Sequence, residues 1–85
     1  NYPNPFNPAT TIAFGLDEPS DVTLAIYDAA GRLVRMLVDR HYEAGRFEEP
    51  WDGTVAGGLA AASGVYFYRL EAESFRHTKK MVLLK

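Results

Sequence analysis

The chain has 85 residues, 47% of them apolar, with five Phe, five Tyr and one Trp. That length holds one small domain, which buries only roughly 60–65% of its unfolded surface and depends on a single well-packed core rich in rings. The lack of cysteine excludes a disulfide framework and a thiolate metal site, and no apolar run approaches the ~20 residues that cross a bilayer.

Residues 1–8, Asn1-Tyr2-Pro3-Asn4-Pro5-Phe6-Asn7-Pro8, cannot form a helix or a central strand. Three prolines remove donors and hold the chain extended. This lead-in over residues 1–9 reads as a pinned segment offering Tyr2 and Phe6 to the body, or as a linker junction or processing region. Residues 11–16 alternate, with Ile12, Phe14 and Leu16 inward, which predicts a half-buried strand. Residues 17–20 break it. Residues 22–27 alternate again, with Val22, Leu24 and Ile26 inward. Residues 28–31 predict a tight turn, with Asp28 bonding turn amides and Gly31 at positive φ.

A third strand is expected over residues 32–38. Its apolar residues do not alternate cleanly, which points to a bulge or to burial on both faces; a short helix is the alternative. Ala44-Gly45 marks the next turn. Phe47, Glu49 and Trp51 then share one face of a strand that ends at Asp52-Gly53, and Pro50 makes it an edge strand or a short one. Residues 53–64 are a loop of small residues. From Gly64 to Leu70 comes the strongest strand pattern, with Tyr66, Tyr68 and Leu70 on one face. Phe75 opens the last element and residues 78–84 close it. The expected fold is all-β: an Ig-like or fibronectin-like sandwich of about seven antiparallel strands in two sheets, forming a single domain over residues 1–85. Trp51 is the expected central ring.

Little catalytic chemistry is visible. His41 and His77 are far apart and in no metal-spaced cluster. The serines lack a nucleophile elbow, and the glycines suit turns better than phosphates. Glu48 and Glu49 are adjacent, so on a strand they point to opposite faces and cannot flank one glycosidic bond. Asp17, Glu18 and Asp21 share a loop that could offer oxygens to calcium, although a solvated acidic turn is the plainer reading. No cofactor is expected. Rings at Tyr66, Phe67 and Tyr68 fall on both faces of one strand, so one face could stack a sugar. Charge is uneven: residues 1–68 hold four basic and nine acidic groups, whereas residues 69–85 hold five basic and two acidic. Five cations spread over an acidic domain do not make a nucleic-acid surface.

Several segments together resemble a known family: NYPNPFNPATTIAF (1–14), IYDAAGRLVRML (26–37), WDG (51–53), ASGVYFYRL (62–70) and KKMVLLK (79–85). In order and spacing they resemble the type A C-terminal sorting domains of the type IX secretion system, which are related to an Ig-like domain of flagellar hook-cap proteins. The motif residues are Asn1 to Pro8, Gly31, Trp51, Asp52, Gly53, Gly64, Tyr66 and Leu70. The chain departs from the pattern at Pro50, Val55 and Leu59-Ala60.

The resemblance implies a non-catalytic recognition domain at the end of a secreted enzyme or adhesin. The cargo would precede Asn1 in the same chain and carry its own export signal. The domain would be recognised in the periplasm of a Gram-negative bacterium and directed by an outer-membrane translocon. A surface protease would then remove it, leaving the cargo secreted or on the cell surface. The start at Asn1 without methionine agrees with a domain of a longer protein, and the domain is expected to be monomeric.

The tail (Lys79, Lys80, Met81, Val82, Leu83, Leu84, Lys85) is either a docked strand or an address. The combined expectation is that Met81 to Leu84 close the sandwich while Lys79, Lys80 and Lys85 are read. The rival expectation is an accessory sugar-binding module, or a passive spacer, of a secreted glycoside hydrolase.

Overall fold

A computed structural model describes residues 10–84. Period-two alternation places the first two strands. In β1 (Thr10–Leu16), Ile12, Phe14 and Leu16 are buried and the residues between them are exposed. In β2 (Ser20–Asp28), Val22, Leu24 and Ile26 are buried, and so is Ala25. The turn after β2 is built as its chemistry dictates. Asp28 Oδ1 accepts the amides of Ala30 and Arg32 at 3.0 and 2.9 Å. Gly31 adopts φ +86°, the left-handed conformation that costs a residue without Cβ least.

β3 (Leu33–Tyr42) is a strand and longer than expected. Its irregular pattern has a definite cause. Leu24 pairs with Val38 but Ala25 with Met36, and Ile26 pairs with Arg35 but Tyr27 with Leu33. Leu37 and Val34 are therefore extra residues, two bulges in one strand. Both turn partly toward the core and pack against it. The alternative of a helix is thereby overturned.

β4 (Gly45–Trp51), β5 (Gly64–Glu71) and β6 (Arg76–Leu83) complete the domain. All pairings are antiparallel. β1 and β4 form a two-stranded sheet; the other sheet has the order β3-β2-β5-β6. The described residues thus hold six strands where about seven were expected, and the lead-in of residues 1–9 lies outside them. Pro50 is accommodated because, among the described residues, β4 pairs only with β1. Phe75 does not open β6. It sits in the turn before it, where its carbonyl accepts the Ala72 amide at 2.9 Å.

Between the sheets Trp51, Leu24, Ile26 and Val22 are fully enclosed. Each such side chain contributes about 1.5–3 kcal/mol relative to exposure. Trp51 is central as expected: its ring meets Tyr66 edge-on at 5.5 Å, and its Nε1 donates to the Thr54 carbonyl at 2.8 Å. A second ring cluster joins Phe14, Tyr42 and Phe47, with centroids 4.7–5.6 Å apart.

Candidate recognition surface

The hairpin of β5 and β6 fixes the tail. Its register pairs Gly64 with Leu83, Val65 with Val82, Tyr66 with Met81, Phe67 with Lys80 and Tyr68 with Lys79. Directly paired residues share a face, so the register sorts the tail into two sides. Leu83 is buried at 6% exposure and Met81 is half-buried against the core. Val82 is 60% exposed and Leu84 72%. The expectation that Met81 to Leu84 all close the sandwich is corrected here. A strand's side chains alternate, so only Met81 and Leu83 can point inward. Lys79 and Lys80 are exposed on opposite sides of β6. Lys85 lies outside the described residues.

The outer face of the larger sheet carries more apolar surface than the sequence pattern suggests. A row of paired residues, Leu33, Tyr27, Phe67 and Lys80, crosses all four strands. Leu33 and Met36 are 54% and 46% exposed, and Val65 beside Val82 is 39% exposed. Arg69 lies over the Tyr27 ring at 4.9 Å. The signal for this stripe was present in the sequence as the broken alternation of β3, but it cannot be assigned to a face until the bulges are placed.

The remaining motif residues hold the scaffold. Asp52 Oδ1 accepts the Thr54 hydroxyl at 2.7 Å and its amide at 3.1 Å. That hydroxyl, more than any other group, holds the Asp52 carboxyl below its ordinary pKa. Arg35 donates to Thr54 Oγ1 and lies 3.5 Å from Asp52. Gly53 makes the turn at φ +80°. The loop that departs from the family pattern is closed by its own backbone: Val55 N donates to Leu59 O at 2.8 Å, and Thr54 pairs with Ala60. Val55 packs on the core, and Leu59 is left exposed. Tyr66 is buried, with its hydroxyl donating to Ala62 O at 2.7 Å, and Leu70 is buried opposite His77. The stretch Asn1 to Pro8 lies outside the described residues.

Two polar groupings lie elsewhere. Tyr42, on β3, donates to Glu49 Oε2 of β4 at 2.6 Å, and Arg40 lies 3.6 Å from that carboxylate and over the Tyr42 ring. Burial, aided by the carboxylate, pushes the Tyr42 phenol up to about 12. His41 sits between Asp21 at 3.0 Å and Glu43 at 3.1 Å. The Asp21 bond, then the Glu43 bond, raises its pKa. Asp21 is thus turned toward His41. Among the described residues no group of three His, Asp or Glu is placed to hold a metal ion, so the structure does not gather Asp17, Glu18 and Asp21 into a calcium site. Burial also removes Tyr66 from any sugar-stacking platform.

Two solved structures are similar to this fold. FlgD from P. aeruginosa matches 89% of this chain and 60% of its own length, at 20% identity and a TM-score of 0.68. Dimeric latent PorU from Porphyromonas gingivalis matches 99% of this chain and 9% of its own length, at 24% identity and a TM-score of 0.71. The chain therefore spans less than two thirds of either protein, and at these identities the likeness is one of fold. No curated protein matches the chain. The FlgD Ig-like domain family matches residues 4–75, a span that stops before β6. By that match the chain belongs to the FlgD Ig-like domain family.

Proposed function

We propose that this domain is a non-catalytic sorting module, which directs a cargo across the outer membrane by the type IX secretion system. One observation carries the reading. β6 presents Lys80 and Val82 on the side the core does not use, and Leu84, just beyond the strand, is exposed. It is also an edge strand of the larger sheet, with one row of backbone groups open to a partner. An edge strand can be read by backbone pairing, while its outward side chains supply the choice of partner. The ammonium groups add an electrostatic component that salt weakens. The resemblance of the tail KKMVLLK to the sorting family supports the same reading.

Under this proposal the cargo precedes the domain in the same chain, and the readers are an outer-membrane translocon and a surface protease. The domain acts in the periplasm as a monomer and then reaches the cell surface or the medium. The inward residues Met81 and Leu83 keep the register, because a slip of one residue would exchange the two sides of the tail.

The family match fits a hook-cap protein equally well, and that reading gives the tail no export role. A reporter fused ahead of residues 1–85 separates the two in a bacterium that has the secretion system. Deleting residues 80–85 should leave the reporter in the periplasm. Undiminished export of the truncated fusion would end the sorting reading.

A further inference from the structure

The outer face of the larger sheet is divided by charge. Toward one end it carries Asp21, Asp39 and Glu71, the last paired with Arg76 at 3.0 Å. Toward the other end no acidic side chain stands on it among the described residues. There Leu33, Tyr27, Phe67 and Lys80 form one row, and Val65 pairs with Val82 beyond it. Two cations in this region are unmatched. Lys80 is exposed and makes no ion pair among the described residues. Arg69 lies over the Tyr27 ring, and its Nε is enclosed without a hydrogen-bond partner.

Arg69 pairs with Thr78 and Phe67 with Lys80, so Arg69 and Lys80 are diagonal neighbours on one face. Such neighbours are roughly 7–8 Å apart, within reach of long side chains. One carboxylate can therefore meet both. We propose that this end of the face docks an acidic, apolar segment of a partner protein, with a carboxylate between Arg69 and Lys80 and an apolar side chain over Phe67, Val65 and Val82.

The chemistry of the patch selects that partner. A carboxylate takes a guanidinium through two parallel N–H bonds, and an enclosed donor without an acceptor is a cost that such a bond removes. Arg and aromatic residues are enriched at the centres of protein interfaces, and here Arg69, Tyr27 and Phe67 adjoin. An anionic lipid surface fits less well, because lying flat on the sheet it would meet the exposed Asp21 and Asp39 as well as the two cations. The docking site deepens the sorting reading and rests on it for the partner's role in export. It adds Arg69 and Phe67 of β5 to the tail, and it gives the partner a charge.

Titrating isotope-labelled residues 1–85 with the peptide acetyl-Val-Glu-Val-Glu-Val-amide should shift the amide signals of residues 65–69 and 78–82. Replacing the peptide's glutamates by glutamines, or using the Arg69→Gln/Lys80→Gln variant, should weaken binding about fivefold. Equal binding of the two peptides, or no shift with either at millimolar concentration, overturns the proposal. Broadening of the same amides by phosphatidylglycerol vesicles, abolished in the double variant, also overturns it and assigns the patch to lipid. Concentration-dependent sedimentation abolished in that variant overturns it in favour of a second copy. In the reporter fusion, the double variant should lower export while the melting temperature of the domain holds. Normal export of the variant, with the 80–85 truncation kept in the periplasm, overturns the docking site and leaves the sorting reading standing. Normal export of the truncation ends the sorting reading, and the titration alone then decides the docking site.

Discussion

The two flanks of the sandwich are built differently. On the β3–β4 flank, side chains cross between the sheets as bonded pairs. Tyr42 reaches Glu49, Arg40 reaches the same carboxylate, and Arg35 reaches Asp52 and Thr54. A cluster of three rings lies beneath them. On the β6 flank none of the described side-chain hydrogen bonds or ion pairs reaches the smaller sheet, and β6 keeps only Leu83 fully buried. The closed flank serves stability. The open flank carries the tail, whose outward residues contribute little to the fold. Under the sorting proposal this leaves the tail free to be read, because β6 pairs with β5 alone among the described strands.

The sharpest test of this contrast is a pair of truncations. Tyr42→Ala removes a buried ring that touches Phe14 and Phe47, and should cost about 3–5 kcal/mol in denaturant unfolding. Met81→Ala, on the half-buried side of β6, should cost less than half as much. Equal losses would mean that the flanks do not differ. Tyr42→Phe isolates the polar tie. It leaves Glu49 without its phenol donor and should cost about 1–2 kcal/mol. A neutral result would assign the closure of this flank to the rings alone.

Val82→Ser, on the outward side of the tail, should stay within about 0.5 kcal/mol of the parent, and a larger loss would show that the outer side is needed for folding. The smallest effect belongs to His41. Its pKa is raised by Asp21 and Glu43, so its stabilisation is full below the ordinary histidine pKa and is lost as pH rises through the raised one. The His41→Gln variant should therefore lose a weak decline in stability that the parent shows as pH rises above the ordinary histidine pKa. All three groups are exposed, so salt should flatten the same decline. An identical pH profile in parent and variant would remove His41 from the account.

Much of this layout was legible in the sequence where one local rule acted alone. Ile12, Phe14 and Leu16, like Val22, Leu24 and Ile26, alternate without interruption and are inward as expected. Asp28 and Gly31 announce their turn because no other chemistry fits it. Legibility failed where a side chain's direction depends on a partner strand. Val34 and Leu37 read as noise until the pairing with β2 shows two bulges. Met81 to Leu84 read as one apolar run, yet the pairing with β5 divides them between core and solvent. The Arg40–Tyr42–Glu49 tie joins different strands and has no signature along the chain. The outer apolar stripe was hidden for the same reason, since Leu33, Tyr27 and Phe67 become neighbours only through register.

The central claim is that the outward side of β6 is read while its inward side holds the fold. It is tested most directly by measuring export of a reporter fusion carrying Lys80→Glu/Val82→Ser/Leu84→Ser, alongside the melting temperature of the same domain. The account predicts that the reporter stays in the periplasm while the domain melts within a few degrees of the parent. Normal export from a folded triple variant would contradict it.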